Sequence, residues 1–312
     1  MKSSSREYKQ INSQKKVLVI GSAVIDVILN VDSIPSSGSD EFAHSEKTIV
    51  GGCAYNVGDI LSQFKANYDL MVPVGDGPNG TIIKNKLKKE GKTSLLNNIL
   101  GDNGWTLCIV ENNGERTFLT MPGVEMTWKK NWFKEIDLNK YDYIYVSGYS
   151  FEPPSDEVLL EEFSRLNEKT TIIFDPSPRI NKMNCESIRK LLEINTIVHA
   201  NEDEILQLSS ENHVKDAALE VSKQTNQPVI VTLGNEGTLI ANKCKVKILE
   251  GENVPITDTI GAGDSHTAAF IAGLLDNQSI EKACIWGNEV ASKIVQERGG
   301  NTDIFNLIDE EY

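Results

Sequence analysis

Thr171-Ile172-Ile173-Phe174-Asp175-Pro176, Thr196-Ile197-Val198-His199-Ala200-Asn201 and Val229-Ile230-Val231-Thr232-Leu233-Gly234 are three short apolar runs, rich in β-branched residues, that each end in polar or turn-forming residues. Amphipathic stretches with helical spacing separate them. A strand buried on both faces reads as an almost continuous apolar run, so this rhythm predicts a parallel sheet covered by helices on both sides. Outward from these runs the alternation continues at 16–21, 51–66, 68–75, 80–91 and 142–148. The fold class is therefore α/β, a three-layer αβα sandwich. Two segments break the rhythm. Residues 105–121 read as two strands around Asn113-Gly114, a strong hairpin signal, and residues 37–50 are extended. Together they are expected to form a small β-sheet lid. Residues 1–15 are polar and aperiodic, hence a loose tail before a single domain over 16–312. Two successive helices are expected between Gly263 and Val295, joined near Asp276-Asn277-Gln278.

The 312 residues carry 31 Lys and Arg against 45 Asp and Glu, a net charge of −14. Basic residues are scattered without a dense run, which argues against nucleic acid and against an anionic membrane surface as partners. The apolar run from Val17 to Leu29 follows Lys15-Lys16 in the manner of a signal peptide, but it contains Asp26 and lacks a small-residue cleavage site, so it reads as buried strand. The five cysteines at 53, 108, 185, 244 and 284 are an odd number without a CxxC pair. That spacing signals neither a disulfide framework nor zinc, and the cytoplasm is the simplest compartment.

In open parallel α/β sheets, ligands collect at the carboxyl ends of the strands. The sharpest segment there is Asp258-Thr259-Ile260-Gly261-Ala262-Gly263-Asp264, followed at once by a helical pattern. Glycines let successive backbone N–H groups converge, and a helix N-terminus adds partial positive charge, which makes Gly261, Ala262 and Gly263 an anion site suited to a phosphoryl group. A carboxylate beside it is placed to take a proton from an attacking hydroxyl, so Asp264 is the candidate general base. The competing reading is that Asp264 only caps the helix. Upstream, Gly51-Gly52-Cys53-Ala54-Tyr55-Asn56 opens another helix, and Asn56 with Asp26 offers an amide and a carboxylate to the hydroxyls of a polyol. The plainer alternatives are a satisfied helix side chain for Asn56 and a turn residue beside the first strand for Asp26. Gly91-Lys92-Thr93 looks like the end of a phosphate-binding P-loop, yet position 86 is Lys where that motif needs Gly. A GxGxxG fingerprint and HExxH spacing are absent, and His266 reads as structural.

These segments, with Asn201-x-x-Glu204 and Thr232-Leu233-Gly234-x-x-Gly237, occur in the order and spacing of the ribokinase-like carbohydrate kinases, the phosphofructokinase B family, which the chain resembles over about residues 17–303. The resemblance implies a ribokinase-like ATP-dependent kinase with a Rossmann-type main domain and a β-sheet lid that often mediates dimers. It implies Asp264 as the base and the Gly261–Gly263 amides as the hole for the charge on the phosphoryl group. Asn201 and Glu204 would organise Mg²⁺ near the phosphates, Glu204 through water. Thr232, Gly234 and Gly237 would lie on the nucleotide side, and Asp26, Gly52 and Asn56 on the sugar side. It further implies a K⁺ site at Asp258 with Ile260, Ile294, Gly299 and Asp303, although Asp303 replaces a frequent Ser and Ile260 a frequent polar residue.

The acceptor is expected to be a small sugar. A phosphosugar would need a cationic partner for its phosphate, for which Arg179 and Arg116 are the candidates, and a nucleoside would need an aromatic such as Trp105 or Phe118 to stack on its base. A different class of reading is a non-catalytic sugar or nucleotide sensor on the same fold. Such a protein would keep the glycine loop and lose the base, whereas Asp264, Asn201 and Glu204 are all present.

Overall fold

Alternate residues of the first strand pack in opposite directions: Val17 and Val19 join one apolar core while Leu18 and Ile20 join another. The structure, a computed structural model, describes residues 7–112, 115–297 and 303–305. Its main sheet comprises β1 (Val17–Ile20), β4 (Tyr68–Met71), β7 (Tyr143–Ser147), β8 (Thr171–Asp175), β9 (Thr196–Asn201), β10 (Val229–Thr232), β11 (Thr238–Asn242) and β12 (Lys245–Leu249). Their spatial order is β12-β11-β10-β9-β8-β7-β1-β4. The strands from β10 through β4 are parallel, and β11 and β12 close one edge as an antiparallel hairpin that the apolar rhythm did not announce. One face is covered by α1 (Cys53–Gln63), α2 (Pro78–Lys89), α7 (Ala262–Leu275) and α8 (Ile280–Ile294). The other carries α3 (Ser155–Phe163), α4 (Cys185–Glu193), α5 (Glu202–Gln207) and α6 (Val214–Thr225).

The smaller sheet has the order β3-β2-β5-β6, with β2 (Val24–Val31), β3 (Ser45–Gly51), β5 (Trp105–Glu111) and β6 (Arg116–Met121). Three expectations change here. The run Val17–Leu29 is not one buried strand: Gly21, Ser22 and Ala23 break it, β1 stays in the main sheet and β2 crosses into the small one. Asp26 accordingly sits mid-strand in β2 rather than in a turn. Within 37–50 only Ser45 onward is strand. β5 and β6 do pair antiparallel, with Asn113 and Gly114 outside the described residues.

The segment read as a loose tail is also partly anchored. Tyr8 is 3% exposed, packs edge-on to Phe64 and Phe305, and donates a 2.7 Å hydrogen bond to the carbonyl of Ile304. Phe64 in turn stacks on Trp286 of α8 with ring centroids 5.7 Å apart. This aromatic cluster joins α1, α8 and both ends of the chain.

A second buried cluster is polar. His199 on β9 and His266 on α7 share a 2.8 Å hydrogen bond. The Thr238 hydroxyl donates to Oδ1 of Asn288 at 2.6 Å and therefore accepts from Nε2 of His266 at 2.9 Å. Nδ1 of His266 is then an acceptor, filled by Nε2–H of His199, whose own Nδ1 faces the Thr267 hydroxyl at 3.0 Å. Such a chain uses one donor and one acceptor per ring, and a second proton on either ring sets donor against donor. Burial pushes both imidazoles below their ordinary range, His266 to about 4.

Two stability predictions follow from these clusters. Trp286→Ala, which empties the aromatic contact with Phe64, should lower the unfolding free energy by about 3–5 kcal/mol in urea titrations. Because the folded His266 pKa lies below the unfolded value, its contribution is complete above about pH 6.5 and is lost as pH falls toward 4. The stability difference between wild type and His266→Gln should therefore shrink across that window by up to about 1.4 kcal/mol per pH unit, and a pH-independent difference would contradict the neutral chain.

Candidate active site

The carboxyl ends of β8, β9 and β10 bring Asp175, Asn201 and Thr232 to one edge of the main sheet, and the N-terminal ends of α1 and α7 converge on the same edge. Helix α1 starts there because Gly52 adopts φ +102°, and a side chain at Gly52 would meet the carbonyl of Ser22 at 2.7 Å. Helix α7 starts after Gly261, which is left-handed at φ +74° and which an L side chain would strain. The turn directs the backbone into α7 with its first amides facing outward. The Ala262 amide is spent on the carbonyl of Thr259 at 3.2 Å, whereas those of Gly263 and Asp264 have no acceptor among the described residues. Of the three amides expected to form the anion hole, that of Ala262 is therefore occupied, while those of Gly261 and Gly263 are open among the described residues.

Asp264 is half-buried in the first turn of α7. Its Oδ2 accepts a 2.8 Å hydrogen bond from Nδ2 of Asn56. Burial raises its carboxyl above the usual range, against the Asn56 amide and the Cys53 thiol, which both favour the ionised form. Burial and the charges of Asp264 and Asp175 keep that thiol protonated. Cys53 was not singled out from the sequence, although its place between Gly52 and Asn56 was the available signal. No side chain of Asp264 caps α7, so the plain capping reading does not describe it.

Asp26 approaches from β2 and packs where a side chain at Gly51 would stand. Burial, together with the Asp264 charge, pushes its carboxyl up to about 6. Asp175 is held well above the carboxylate range by burial and by the charges of Glu204 and Asp264. Glu204 is raised by burial, while the Asn201 amide counters this by donating to its Oε2 at 2.9 Å. The Asn201 side chain returns a 2.9 Å bond from the Glu204 amide, a reciprocal cap that orients both residues at the head of α5. Asp26, Asp175 and Glu204 are thus raised by burial and by neighbouring carboxylates, and Asp264 by burial alone, while among the described residues no group of three or more His, Cys, Asp or Glu side chains is arranged to hold a metal ion directly.

Two cavities meet at Asn201, Thr232 and Gly263. The larger, about 430 Å³, extends past Gly234, Gly237 and Asn288. The smaller, about 200 Å³, is lined by Cys53, Asp175, Glu204, Gly261 and Asp264. Asp26, Gly52 and Asn56 line neither; Asn56 reaches Asp264 through its hydrogen bond and Asp26 feels its charge. Arg179 is not brought in: its guanidinium is clamped by Glu152. Arg116 is also engaged, with its Nη2 2.9 Å from Oδ1 of Asp258. The strand pleat separates the two aromatics, since Phe118 shares the Asp26 face of the small sheet and Trp105 lies on the opposite one. Lys92, of the discarded P-loop lookalike, is held by Asp59 and Glu90.

Of the residues named for a monovalent cation, Ile260 donates its amide to Oδ1 of Asp258 at 2.8 Å. The carbonyl of Ile294 accepts from Glu297 at 3.1 Å, and Oδ1 of Asp303 accepts from the Phe305 amide at 3.0 Å. Gly299 lies outside the described residues.

Comparison with known proteins places this geometry. An uncharacterised sugar kinase of Escherichia coli K12, YegV, is 33% identical over 297 residues, which is 94% of this chain and 92% of that protein. A ribokinase of Bacillus subtilis is 27% identical over 89% of this chain and 92% of its own. The crystal structure of a Thermotoga maritima ribokinase superposes with a TM-score of 0.81 at 25% identity, covering 94% of this chain and 96% of that one. The model of the pfkB family carbohydrate kinases matches residues 14–306. With a carboxylate and a glycine turn at the carboxyl edge of a matching fold, the chain belongs to the pfkB family of carbohydrate kinases, phosphotransferases that act on a hydroxyl acceptor.

Proposed function

We propose that this chain is an ATP-dependent sugar kinase in which Asp264 is the general base. The observation that carries the reading is a desolvated carboxylate, oriented by Asn56 at 2.8 Å, beside the open amides of a helix N-terminus. ATP occupies the larger cavity along Thr232, Gly234 and Gly237, with its γ-phosphoryl group directed at Gly263. The sugar lies between Asp26 and Asn56 with one hydroxyl toward Asp264. That hydroxyl gives its proton to the Asp264 carboxylate, its oxygen bonds to the γ-phosphorus, and the bond to the β–γ bridging oxygen breaks to leave ADP. The amides of Gly263 and Asp264 face the charge that builds on the phosphoryl oxygens.

Asp175 and Glu204, with Asn201, would hold Mg²⁺, and their crowded negative charge fits a divalent cation. The ion, when bound, offsets phosphate charge. The small sheet acts as a lid that excludes water, so that ATP is not spent on hydrolysis. Its face away from Asp26 exposes Trp105, Leu119 and Met121, and a homodimer would form through that surface. Among the described residues no helix is long and apolar enough to cross a membrane, and we take the compartment to be the cytoplasm. A free sugar is favoured over a phosphosugar because both candidate arginines are already paired with carboxylates. A nucleoside acceptor is the second reading, favoured by one observation: Phe118 is 55% exposed on the Asp26 face.

ATP consumption across free sugars, phosphosugars and nucleosides tests the proposal. Wild type should turn over with one acceptor class, and Asp264→Asn should fold normally yet lose roughly 10²-fold or more in turnover. A variant as active as wild type would reduce Asp264 to a helix-start residue. Since Asp26 must be ionised to accept hydroxyl protons, kcat/KM for the acceptor should fall as pH drops through about 6. Asp26→Asn should lower kcat/KM and move the acid limb to lower pH, because it also removes a charge from beside Asp264.

A further inference from the structure

The reaction just described leaves one charged contact of the small sheet unused. Arg116, the first residue of β6, extends out of that sheet to Asp258, which belongs to the segment leading into α7. The Arg116 side chain is 23% exposed and that of Asp258 10%, so the pair is largely removed from water. Oδ1 of Asp258 receives both the guanidinium at 2.9 Å and the amide of Ile260 at 2.8 Å. Ile260 immediately precedes the left-handed Gly261, and the amides of Thr257 and Asp258 are fixed by the carbonyl of Val295 at 2.7 and 3.1 Å. One carboxylate therefore connects β6, the glycine turn and the end of α8.

This is the carboxylate at which the family resemblance implies a monovalent cation, and the described residues do not fit one. A guanidinium within 3 Å of the same oxygen repels a second cation and cannot lose its own charge. The carbonyl of Ile294 and Oδ1 of Asp303 are also each taken by a backbone amide. We propose that Arg116 replaces the monovalent cation at Asp258: it is a tethered positive charge that holds the glycine turn in its anion-binding shape and couples that shape to the position of the lid. Arg116 is thus a positioning residue, acting through Asp258 and Ile260. The inference rests on the kinase reading for its effect on turnover, while its effect on cation binding stands apart.

The full-length chain is assayed with Mg²⁺ and ATP on its best acceptor, in buffer whose only monovalent cation is tetramethylammonium, and again with K⁺ added. Wild-type turnover should be the same in both. Arg116→Ala should lose about tenfold or more without K⁺, recover in part with K⁺ or guanidinium, and be matched closely to wild type by Arg116→Lys. The proposal is overturned by a wild type that needs K⁺, by an Arg116→Ala variant as active as wild type, or by a loss that neither cations nor Lys restore. Thermal unfolding supplies an arm that does not depend on turnover. K⁺ should raise the Tm of Arg116→Ala, or of Arg116→Gln if the alanine variant does not fold, and leave wild type unchanged; K⁺ stabilising wild type overturns the proposal. Absence of turnover on every acceptor would sink the kinase reading and leave this second arm to decide the tether.

Discussion

A carboxylate withdrawn from water needs compensation, and the placement of Asp264 organises much of the surrounding structure. Its charge is met by the N-terminal end of α7, by the Asn56 amide and by the Cys53 thiol. To deliver these partners, α1 and α7 must begin side by side, which requires the unusual backbone at Gly52 and Gly261. Even so, its carboxyl is raised, as are those of Asp26, Asp175 and Glu204 around it. A concentration of carboxylates in a cleft costs stability and is tolerated where a ligand needs it. The aromatic cluster of Tyr8, Phe64, Phe305 and Trp286 ties the C-terminal end of α1 to α8, the helix packed against α7.

The main sheet was legible because its strands are buried on both faces, so their apolar runs stand out against the helices between them. The same property hid the crossing at Gly21–Ala23, since β1 and β2 are both apolar although they belong to different sheets. Tyr8 could not be told from a solvated tail, because its partners Phe64 and Ile304 are distant in sequence. Local signals carried Asp264, Gly261 and Asn56, whose placement follows from glycine turns beside helix starts. Arg116, Arg179 and His266 were different. Their surroundings are set by residues from other strands and helices, and no spacing rule joins Arg116 to Asp258 or His266 to His199.

The buried chain from Thr267 through both imidazoles to Asn288 spans the wall between the two cavities. The Thr267 hydroxyl also lies 3.0 Å from the carbonyl of Gly263. The chain therefore fixes α7 against β9 at the level of the glycine turn, and Arg116 and Asp258 fix that turn from the lid side. The turn is held from both directions by polar contacts that are costly to leave unpaired. Rigid support of this kind suits a site whose contribution is the positioning of charge rather than flexible binding.

In the proposed reaction the γ-phosphoryl group goes to a hydroxyl deprotonated at Asp264. Its most direct test follows the γ-phosphoryl group itself, using ATP labelled there and separation of the products after reaction with the acceptor. Label is expected in a phosphate ester of that acceptor, with little released as inorganic phosphate. Label found only in inorganic phosphate, with the acceptor recovered unmodified, would contradict it.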